Sequence, residues 1–393
     1  MPKYKFSEIA YNITDKKMPE PGDEELYIGL EHLDSGSLRV TRWGSEVELV
    51  GQKLVMQKGD ILFGRRNTYL RRAAIAPHDG IFSAHGMIFR PNTAIIDPDY
   101  FPFFISSDYF MDAAIRISVG SLSPTVNWKT LKELEFFLPD LNQQRHTAEL
   151  LSAANETKEA YQDLLIKSDE LVKSQFIELF GSPIKNPNAW PTLSIGDATE
   201  DILSGQCLNG AAGILQPGQK AVLKVSAVTY GYFKADEYKV LYDPKQITKG
   251  IYPQNGDLLF SRANTKEYVG ATALIDHDYP DLLLPDKLWK LVFKPIILPI
   301  FAKHFLSHPE VRAVLSEMAT GTSGSMFNIS MEKLKGLKII VPDMDTQLRF
   351  VEFAQQLDKS KYVAYQLTLF IEKLVKYELQ SLFQEECICS LKM

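Results

Sequence analysis

Gly59-Asp60-Ile61-Leu62-Phe63-Gly64-Arg65-Arg66-Asn67-Thr68 returns later in the same chain as Gly256-Asp257-Leu258-Leu259-Phe260-Ser261-Arg262-Ala263-Asn264-Thr265. Seven of the ten positions are identical, with no gap. Working outward, Leu131-Lys132-Glu133-Leu134, Pro139-Asp140 and Gln144 reappear as Leu334-Lys335-Gly336-Leu337, Pro342-Asp343 and Gln347. The offset is 197 residues at the glycine-aspartate block and 203 at the proline-aspartate block. Order and spacing held over a whole domain length mark a duplicated domain, because solenoid repeats run to only about 20–50 residues. A chain with two similar surfaces suits a partner with two similar halves.

The 393 residues suffice for two domains with full cores and connectors. No apolar run approaches the ~20 residues of a membrane span, and Met1-Pro2-Lys3-Tyr4-Lys5-Phe6 opens no signal-peptide pattern. Cys207, Cys387 and Cys389 form no disulfide framework, so a reducing, cytoplasmic setting is expected. The net charge of −6 argues at first against nucleic acid. Its distribution weakens that argument. Residues 139–181 carry −4 and residues 343–386 carry −3, which leaves +1 for the remainder. The acidity sits in two stretches, and the rest is free to present basic patches.

Those acidic stretches read as long helices. Residues 143–180 contain no Gly or Pro, and their apolar residues recur at three- and four-residue steps until Gly181-Ser182-Pro183. Residues 346–384 place Phe350, Phe353, Leu357, Ser360, Ala364, Leu367, Ile371, Leu374, Glu378 and Ser381 at alternating steps of 3 and 4, the seam of a coiled coil. The flanking regions read as mixed, with strands at Glu46–Val50, Lys53–Met56 and Ile61–Phe63. Single helices are expected over Tyr100–Ser118 and about Pro299–Ala319. The expected fold is α+β: two similar domains in tandem, separated and followed by helices that pair as an antiparallel coiled coil with pseudo-twofold symmetry. The boundaries expected are 1–142 and 182–345 for the domains, 143–181 and 346–386 for the helices, and 387–393 for a tail.

The repeated Gly-Asp-hydrophobic-Leu-Phe block, the Leu-Lys-x-Leu to Pro-Asp to Gln exit from each domain, and Lys173-Ser174-Gln175-Phe176-Ile177-Glu178-Leu179-Phe180-Gly181 closing the central helix carry a resemblance. In this ordered set the chain resembles the specificity subunit of type I restriction–modification systems over essentially its whole length. The two exits, Asp140-Leu141-Asn142-Gln143-Gln144 and Asp343-Met344-Asp345-Thr346-Gln347, lack the acidic residue common just before the final glutamine in that family. The resemblance implies a non-catalytic subunit in which each domain reads one half of a bipartite sequence in double-stranded DNA. It implies helices that dock two modification subunits, which hold S-adenosylmethionine, and restriction subunits, which use ATP and Mg. This chain would itself bind no cofactor and no metal, and phage defence would be its setting.

The residues themselves fit that picture. No Gly-x-x-x-x-Gly-Lys-[Ser/Thr] loop is present, and Asp97-Pro98-Asp99-Tyr100 has Asp where an amino-methyltransferase segment needs a second proline. His304 and His308 lack the glutamate of a zinc protease and are expected to be surface residues. Pro285-Asp286-Lys287 has no partnered acids for a nuclease. An autonomous methyltransferase or nuclease with unrecognised motifs, or a coiled-coil scaffold, remain the rival classes. For DNA contact the candidates are Arg65, Arg66, Asn67, Thr68, Arg71 and Arg72 in the first copy and Arg262, Asn264, Thr265 and Lys266 in the second. Arg suits guanine edges and Asn suits adenine, while hydroxyls suit phosphates. The shared pairs Arg65/Arg262 and Asn67/Asn264 favour a common structural or phosphate-binding role. Arg66 against Ala263, and Arg71 and Arg72 against Val269 and Gly270, are the better base readers. The small polar loops contribute Ser121, Ser123, Thr125 and Asn127, and Thr322, Ser323, Ser325 and Asn328, for phosphate contact or for helix termination. Phe101, Phe103, Phe104, Tyr109 and Phe110 are expected in the core.

Overall fold

The computed structural model describes residues 1–321 and 326–390, with side chains as far as Ser381. It falls into two compact units, residues 1–163 with the chain from Ala364 onward, and residues 164–363. The helices Leu141–Phe180 and Met344–Ser390 each contribute to both units, so the units cut across the helices.

In each unit the repeated block forms the same sheet. In unit 1 the strand order is Ala10–Ile13, Met87–Pro91, Ile61–Phe63, Ala73–Ile75, all antiparallel. In unit 2 it is Thr199–Ser204, Leu288–Phe293, Leu258–Ser261, Thr272–Leu274. The Gly-Asp pair is shared for a physical reason. Gly59 and Gly256 turn the chain into the strand at φ +90° and +85°, a left-handed conformation that favours glycine. The buried Asp60 then accepts from Gln57 N (2.8 Å) and from Arg90 Nε (2.6 Å) and Nη2 (3.0 Å) of the neighbouring strand. Asp257 does the same with Gln254 N (2.8 Å) and Lys290 Nζ (2.7 Å). A second small sheet joins the start of each copy to its end, Lys3–Lys5 with Glu135–Phe137 and Thr192–Ser194 with Lys338–Ile340.

The remaining four-stranded sheet is where the copies diverge. Both contain a parallel pair, Tyr27–Ile28 with Gly80–Phe82 and Ala221–Leu223 with Leu282–Leu283. In unit 1 Lys53–Met56 joins this pair at Gly80–Phe82. In unit 2 Tyr238–Leu241 joins it at Ala221–Leu223, the other member, and so creates a hairpin over residues 221–241 that unit 1 lacks.

The repeated glutamine locks each helix to its unit. Gln144 is fully buried; its Oε1 accepts from Asp97 N (2.8 Å) and its Nε2 donates to Ile95 O (3.1 Å) and Pro139 O (2.9 Å). Gln347 makes the matching set with Leu298 N (3.0 Å), Ile296 O and Pro342 O (both 2.9 Å). The N-terminal part of the central helix, through Ala148, packs on the Phe6, Phe63, Phe89, Phe104 and Phe110 core of unit 1. Its C-terminal residues Val172, Phe176 and Phe180 pack with Phe301 and Phe350 in unit 2. Gly181 at φ +74° ends the helix, donating from its N–H to Ile177 O.

Four expectations are revised. The helix over Tyr100–Ser118 is two, Phe101–Ser106 and Asp108–Arg116, because extended Ser107 caps the second by accepting from Phe110 N at 3.2 Å. The helix near Pro299–Ala319 is likewise Pro299–Ser307 and Pro309–Met318, split at His308 ahead of the proline. Glu46–Val50 forms no strand, and Val47 and Val50 lie in solvent. The seam of the distal helix also shifts. Phe350 and Ala364 are buried as expected, but the other buried positions from Phe350 to Ser381 are Val351, Ala354, Thr368 and Leu379, while Leu367 and Leu374 are exposed. Thr368 is tolerated there because its hydroxyl donates to Ala364 O at 2.9 Å. Phe101, Phe103, Phe104 and Phe110 are core residues.

Candidate nucleic-acid interface

The two stretches proposed from sequence in the first copy meet. Asn67 N donates to Pro124 O (2.8 Å) and Val126 N to Arg65 O (3.0 Å), so residues 65–67 lie along residues 123–126. Val119 and Thr125 exchange two further backbone bonds that close the 119–125 loop beneath them. Arg66, Ser121 and Asn127 are exposed on this ledge, and Arg66 Nη2 reaches Ser123 Oγ at 3.5 Å. Thr125 donates to Ser123 O (2.9 Å). Asn67 sits at φ +54°, and its Oδ1, like Arg65 Nε, is buried with no partner among the described residues. Such orphaned polar atoms are rare in folded chains and cluster where a ligand or water completes them.

Unit 2 builds the same ledge. Ala263–Asn264 pairs with Phe327–Asn328, Ile329 N donates to Arg262 O (2.8 Å), and Thr320 and Asn328 exchange backbone bonds as Val119 and Thr125 do. Thr265 and Lys266 are exposed beside it. Thr322, Ser323 and Ser325 lie outside the described residues.

Several candidates face inward instead. Thr68 is buried and donates to Arg65 O (2.9 Å), holding the turn rather than a phosphate. Arg71, at φ +49°, ion-pairs with Asp108 (2.8 Å) and Asp112. Arg72 donates to Leu30 O (2.8 Å) and Arg66 O (3.3 Å). A count of charges cannot distinguish these internally paired cations from Arg66. The strand registers also place Arg71 and Arg72 opposite Gly270 and Ala271, one residue on from the alignment by sequence, because Phe63 pairs with Ala73 but Phe260 with Thr272. Gly270 keeps the left-handed conformation, at φ +83°. Arg262 is internally held as well, by Asp286 O (2.9 Å), the Asp286 carboxylate (3.5 Å) and the face of Trp289 (5.8 Å). In unit 1 those registers put Ala84 and Met87 at the places of Asp286 and Trp289, which leaves Arg65 without that cage.

Each ledge is tied to a helix, with opposite polarity. In unit 1 Arg71 of the loop meets Asp108 of helix Asp108–Arg116, and Asp108 also binds Lys376 (3.0 Å) and Gln380 (3.4 Å) of the distal helix. Burial pushes the Asp108 carboxyl up, but Lys376 and Arg71 outweigh it and hold the group below the usual range. In unit 2 the cation is on the helix: Arg312 Nη2 donates to Glu267 O (2.9 Å), and burial lowers the affinity of its guanidinium for a proton. His304 and His308 are half-buried, not surface residues. His308 Nδ1 accepts from Glu310 N (3.3 Å), while burial drives His304 well below the ordinary histidine value. Among the described residues no three His, Cys, Asp or Glu side chains are grouped to hold a metal, and no helix is long and apolar enough to cross a membrane.

One feature of unit 2 escaped sequence reasoning. Asn264 Nδ2 donates to Thr229 Oγ1 (3.1 Å), which brings the tip of the hairpin beside the ledge. That tip carries Tyr230 and Tyr232, both more than half exposed. The legible signal is an aromatic-Gly-aromatic run, Tyr230-Gly231-Tyr232, followed directly by Phe233-Lys234.

A family profile described as the type I restriction modification DNA specificity domain matches residues 30–165 and again 187–366. The chain belongs to this family. The two matches cover both copies of the repeat. Among curated relatives in the family, the chain is 26% identical over 304 residues to the type I restriction enzyme EcoKI specificity subunit of Escherichia coli K12, covering 72% of this chain and 62% of that protein. It is 27% identical over 176 residues to the EcoEI specificity subunit of Escherichia coli, covering 43% and 29% respectively. The match thus spans less than two thirds of the length of either relative. The fold is similar to the crystal structure of the type I restriction-modification S subunit from M. genitalium, with a TM-score of 0.58 at 15% identity over 96% of this chain and 95% of that one. It is similar also to a chain in a type I R-M system solved to explain complex assembly and conformational transition, with a TM-score of 0.51 at 17% identity over 97% of each.

Proposed function

We propose that this chain is the DNA-reading subunit of a type I restriction–modification complex, with each unit reading one half of a bipartite target in double-stranded DNA. The observation that carries this reading is the ledge built twice on one backbone plan with different side chains: Arg66 and Ser123 in one copy, Ala263 and Phe327 at or beside the matching places in the other. A shared scaffold with unlike surfaces is what reading two different half-sites requires. Exposed Arg66 and Lys266 supply cations for the duplex although the whole chain is acidic. The chain contributes recognition, not turnover.

The helices would set the gap between half-sites as an antiparallel coiled coil. Contacts within each unit support that pairing. Leu151 shares a cluster with Val375 and Leu379 in unit 1, and Asp169 pairs with Lys361 at 2.5 Å in unit 2. The distal helix also leaves Leu367, Phe370, Leu374 and Tyr377 exposed at steps of 3 and 4, an apolar stripe suited to a docking helix of a modification subunit. Two such subunits, each holding S-adenosylmethionine, and restriction subunits using ATP and Mg would complete the assembly in the cytoplasm. Expressing the chain with its modification subunits in a host without other methylation, and mapping methylated bases across the genome, tests the reading. A bipartite motif with a fixed gap is expected. Methylation by the chain alone, or a continuous motif, overturns it.

A further inference from the structure

We infer that the hairpin tip Thr229–Lys234 is the principal base-discriminating element of unit 2, with Tyr230, Tyr232 and Lys234 as its reading side chains. This rests on the proposed DNA-reading function and names where one half-site is read. The tip is anchored on both sides of these groups. Its base is closed by Lys224 N donating to Glu237 O (2.9 Å), by Ser226 Oγ donating to the Glu237 carboxylate (2.7 Å), and by Lys234 N donating to Ala227 O (2.9 Å). Val228 is fully buried, and the ring of Phe233 packs edge-on against Tyr279 at 5.1 Å. Between these anchors Gly231 turns the chain at φ +83°, leaving Tyr230 58% and Tyr232 55% exposed. Lys234 Nζ lies 5.0 Å from the Tyr230 ring and 5.3 Å from the Tyr232 ring, and Tyr230 meets Tyr268 edge-on at 5.7 Å.

Two large rings held more than half in water around a cation add to the fold of unit 2 only their contacts with Lys234 and Tyr268. Their chemistry matches the edges of base pairs. A lysine ammonium only donates, which selects the paired acceptors of guanine, and an aromatic ring favours the thymine methyl group. Their position matches as well, since Thr229 is hydrogen-bonded to Asn264 of the ledge. The decisive comparison is with unit 1. There the turn Leu30–His32 matches Val225–Ala227, so the counterpart of Tyr230-Gly231-Tyr232-Phe233-Lys234 is Ser35-Gly36-Ser37-Leu38-Arg39: Gly36 again has positive φ, at +73°, but serines stand in place of both tyrosines, and Arg39 is paired with Asp163 (3.1 Å). The ledges are common to both units; the side chains carried by the tip are not, and half-sites that differ must be told apart by what differs.

The test uses the full chain with its modification subunits and genome-wide methylation mapping. The Tyr230→Ala/Tyr232→Ala/Lys234→Ala variant is expected to lose discrimination about ten- to a hundredfold at one or two adjacent base pairs of one half-site, with the other half and the gap unchanged. An unchanged motif, or equal relaxation of both halves, overturns the inference. Should the triple variant fail to accumulate folded, Tyr232→Leu and Lys234→Gln, made separately at exposed sites, are read in the same way, and an unchanged motif in both overturns it. A wild-type complex that yields no bipartite motif defeats the functional reading itself, which separates the two failures.

Discussion

Replacing Gln144 by Leu probes the link between recognition unit and helix. The substitution keeps the volume close and removes an amide that is fully buried and satisfied three ways, by Asp97 N, Ile95 O and Pro139 O. One backbone donor and two backbone acceptors then lose their partner. Each unmet buried group costs about 1–3 kcal/mol, and partial relaxation brings the total to about 3–6 kcal/mol. A domain has only about 5–15 kcal/mol to lose, so the first unit becomes marginal. At about 2–4 °C per kcal/mol for a unit of this size, its midpoint falls by roughly 10 °C or more. Hydrogen exchange read by mass spectrometry reports the two units separately. Protection is expected to drop over residues 1–163 and to persist over residues 182–340. Gln143→Leu is the control, because Gln143 is exposed one position away; its effect is expected within about 0.5 kcal/mol. If Gln144→Leu melts within about 2 °C of the wild type, the amide does not hold the helix start, and the reading of the repeated glutamine as a clamp fails.

Arg66→Ala is expected to weaken DNA binding, either uniformly with a salt slope lower by about 1 or by about 1–3 kcal/mol at a single base pair; unchanged affinity and slope place the ledge away from DNA. Arg72→Ala is expected to lower thermal stability while the salt slope of the folded protein stays as in wild type, because its guanidinium is committed to Leu30 O and Arg66 O; a lower slope at full stability refutes that assignment. Asp108 has a depressed carboxyl pKa, so its contribution to stability is present above the ordinary carboxyl range and is lost as pH falls through the depressed value. Urea midpoints should therefore separate wild type from Asp108→Asn at pH 7 and converge once the pH falls below the depressed carboxyl range, and a gap that persists there contradicts the ion-pair account. His304 is held neutral by burial first and by the charges of Lys303 and Lys361 second, so the fold is favoured above pH 6.5 and loses stability as the unfolded chain takes up a proton below it. His304→Phe, packed against Phe350 in place of the imidazole that now meets it at 5.2 Å, should flatten the stability profile between pH 6.5 and 5; His32 and His308, lowered by burial too, account for the slope that remains.

What could be read from the sequence was whatever the repeat constrained twice. Gly59 and Gly256 mark a turn with positive φ, Asp60 and Asp257 tie it to the next strand, and Gln144 and Gln347 clamp the helix starts, so all appear as identities. Periodicity missed the break at Ser107 because Phe104, Phe110 and Met111 stay apolar and buried across it; only Pro309 in the second copy announces the matching break at His308. Hydropathy also misassigned the distal seam. It chose Leu367 and Leu374, whereas packing buries Thr368 and Leu379 and leaves the two leucines to solvent. The partner surface, not the apolarity of the helix alone, decides which stripe is covered. At the candidate interface the partners of Arg71 stand 37 and 41 residues away, at Asp108 and Asp112, so its commitment was invisible along the chain.

The hairpin tip was illegible for a related reason, and that reason bears on how the molecule works. Comparing two copies finds what they share, and shared residues hold the scaffold: the sheet, the turn, the ledge and the clamp. Residues that distinguish one half-site from the other are absent from that comparison by definition. Unit 2 shows how this separation is built. Its strand Tyr238–Leu241 joins Ala221–Leu223 instead of the Leu282–Leu283 member of the parallel pair, which opens a hairpin without disturbing the sheet that carries Gly256-Asp257. The helix-to-loop tie changes in the same way, from Arg71 on the loop in one unit to Arg312 on the helix in the other, while both continue to fix the loop. On the proposed function, contacts that maintain the fold and contacts that read DNA reside on different residues, so side chains at the tip can change without cost to the core that supports them.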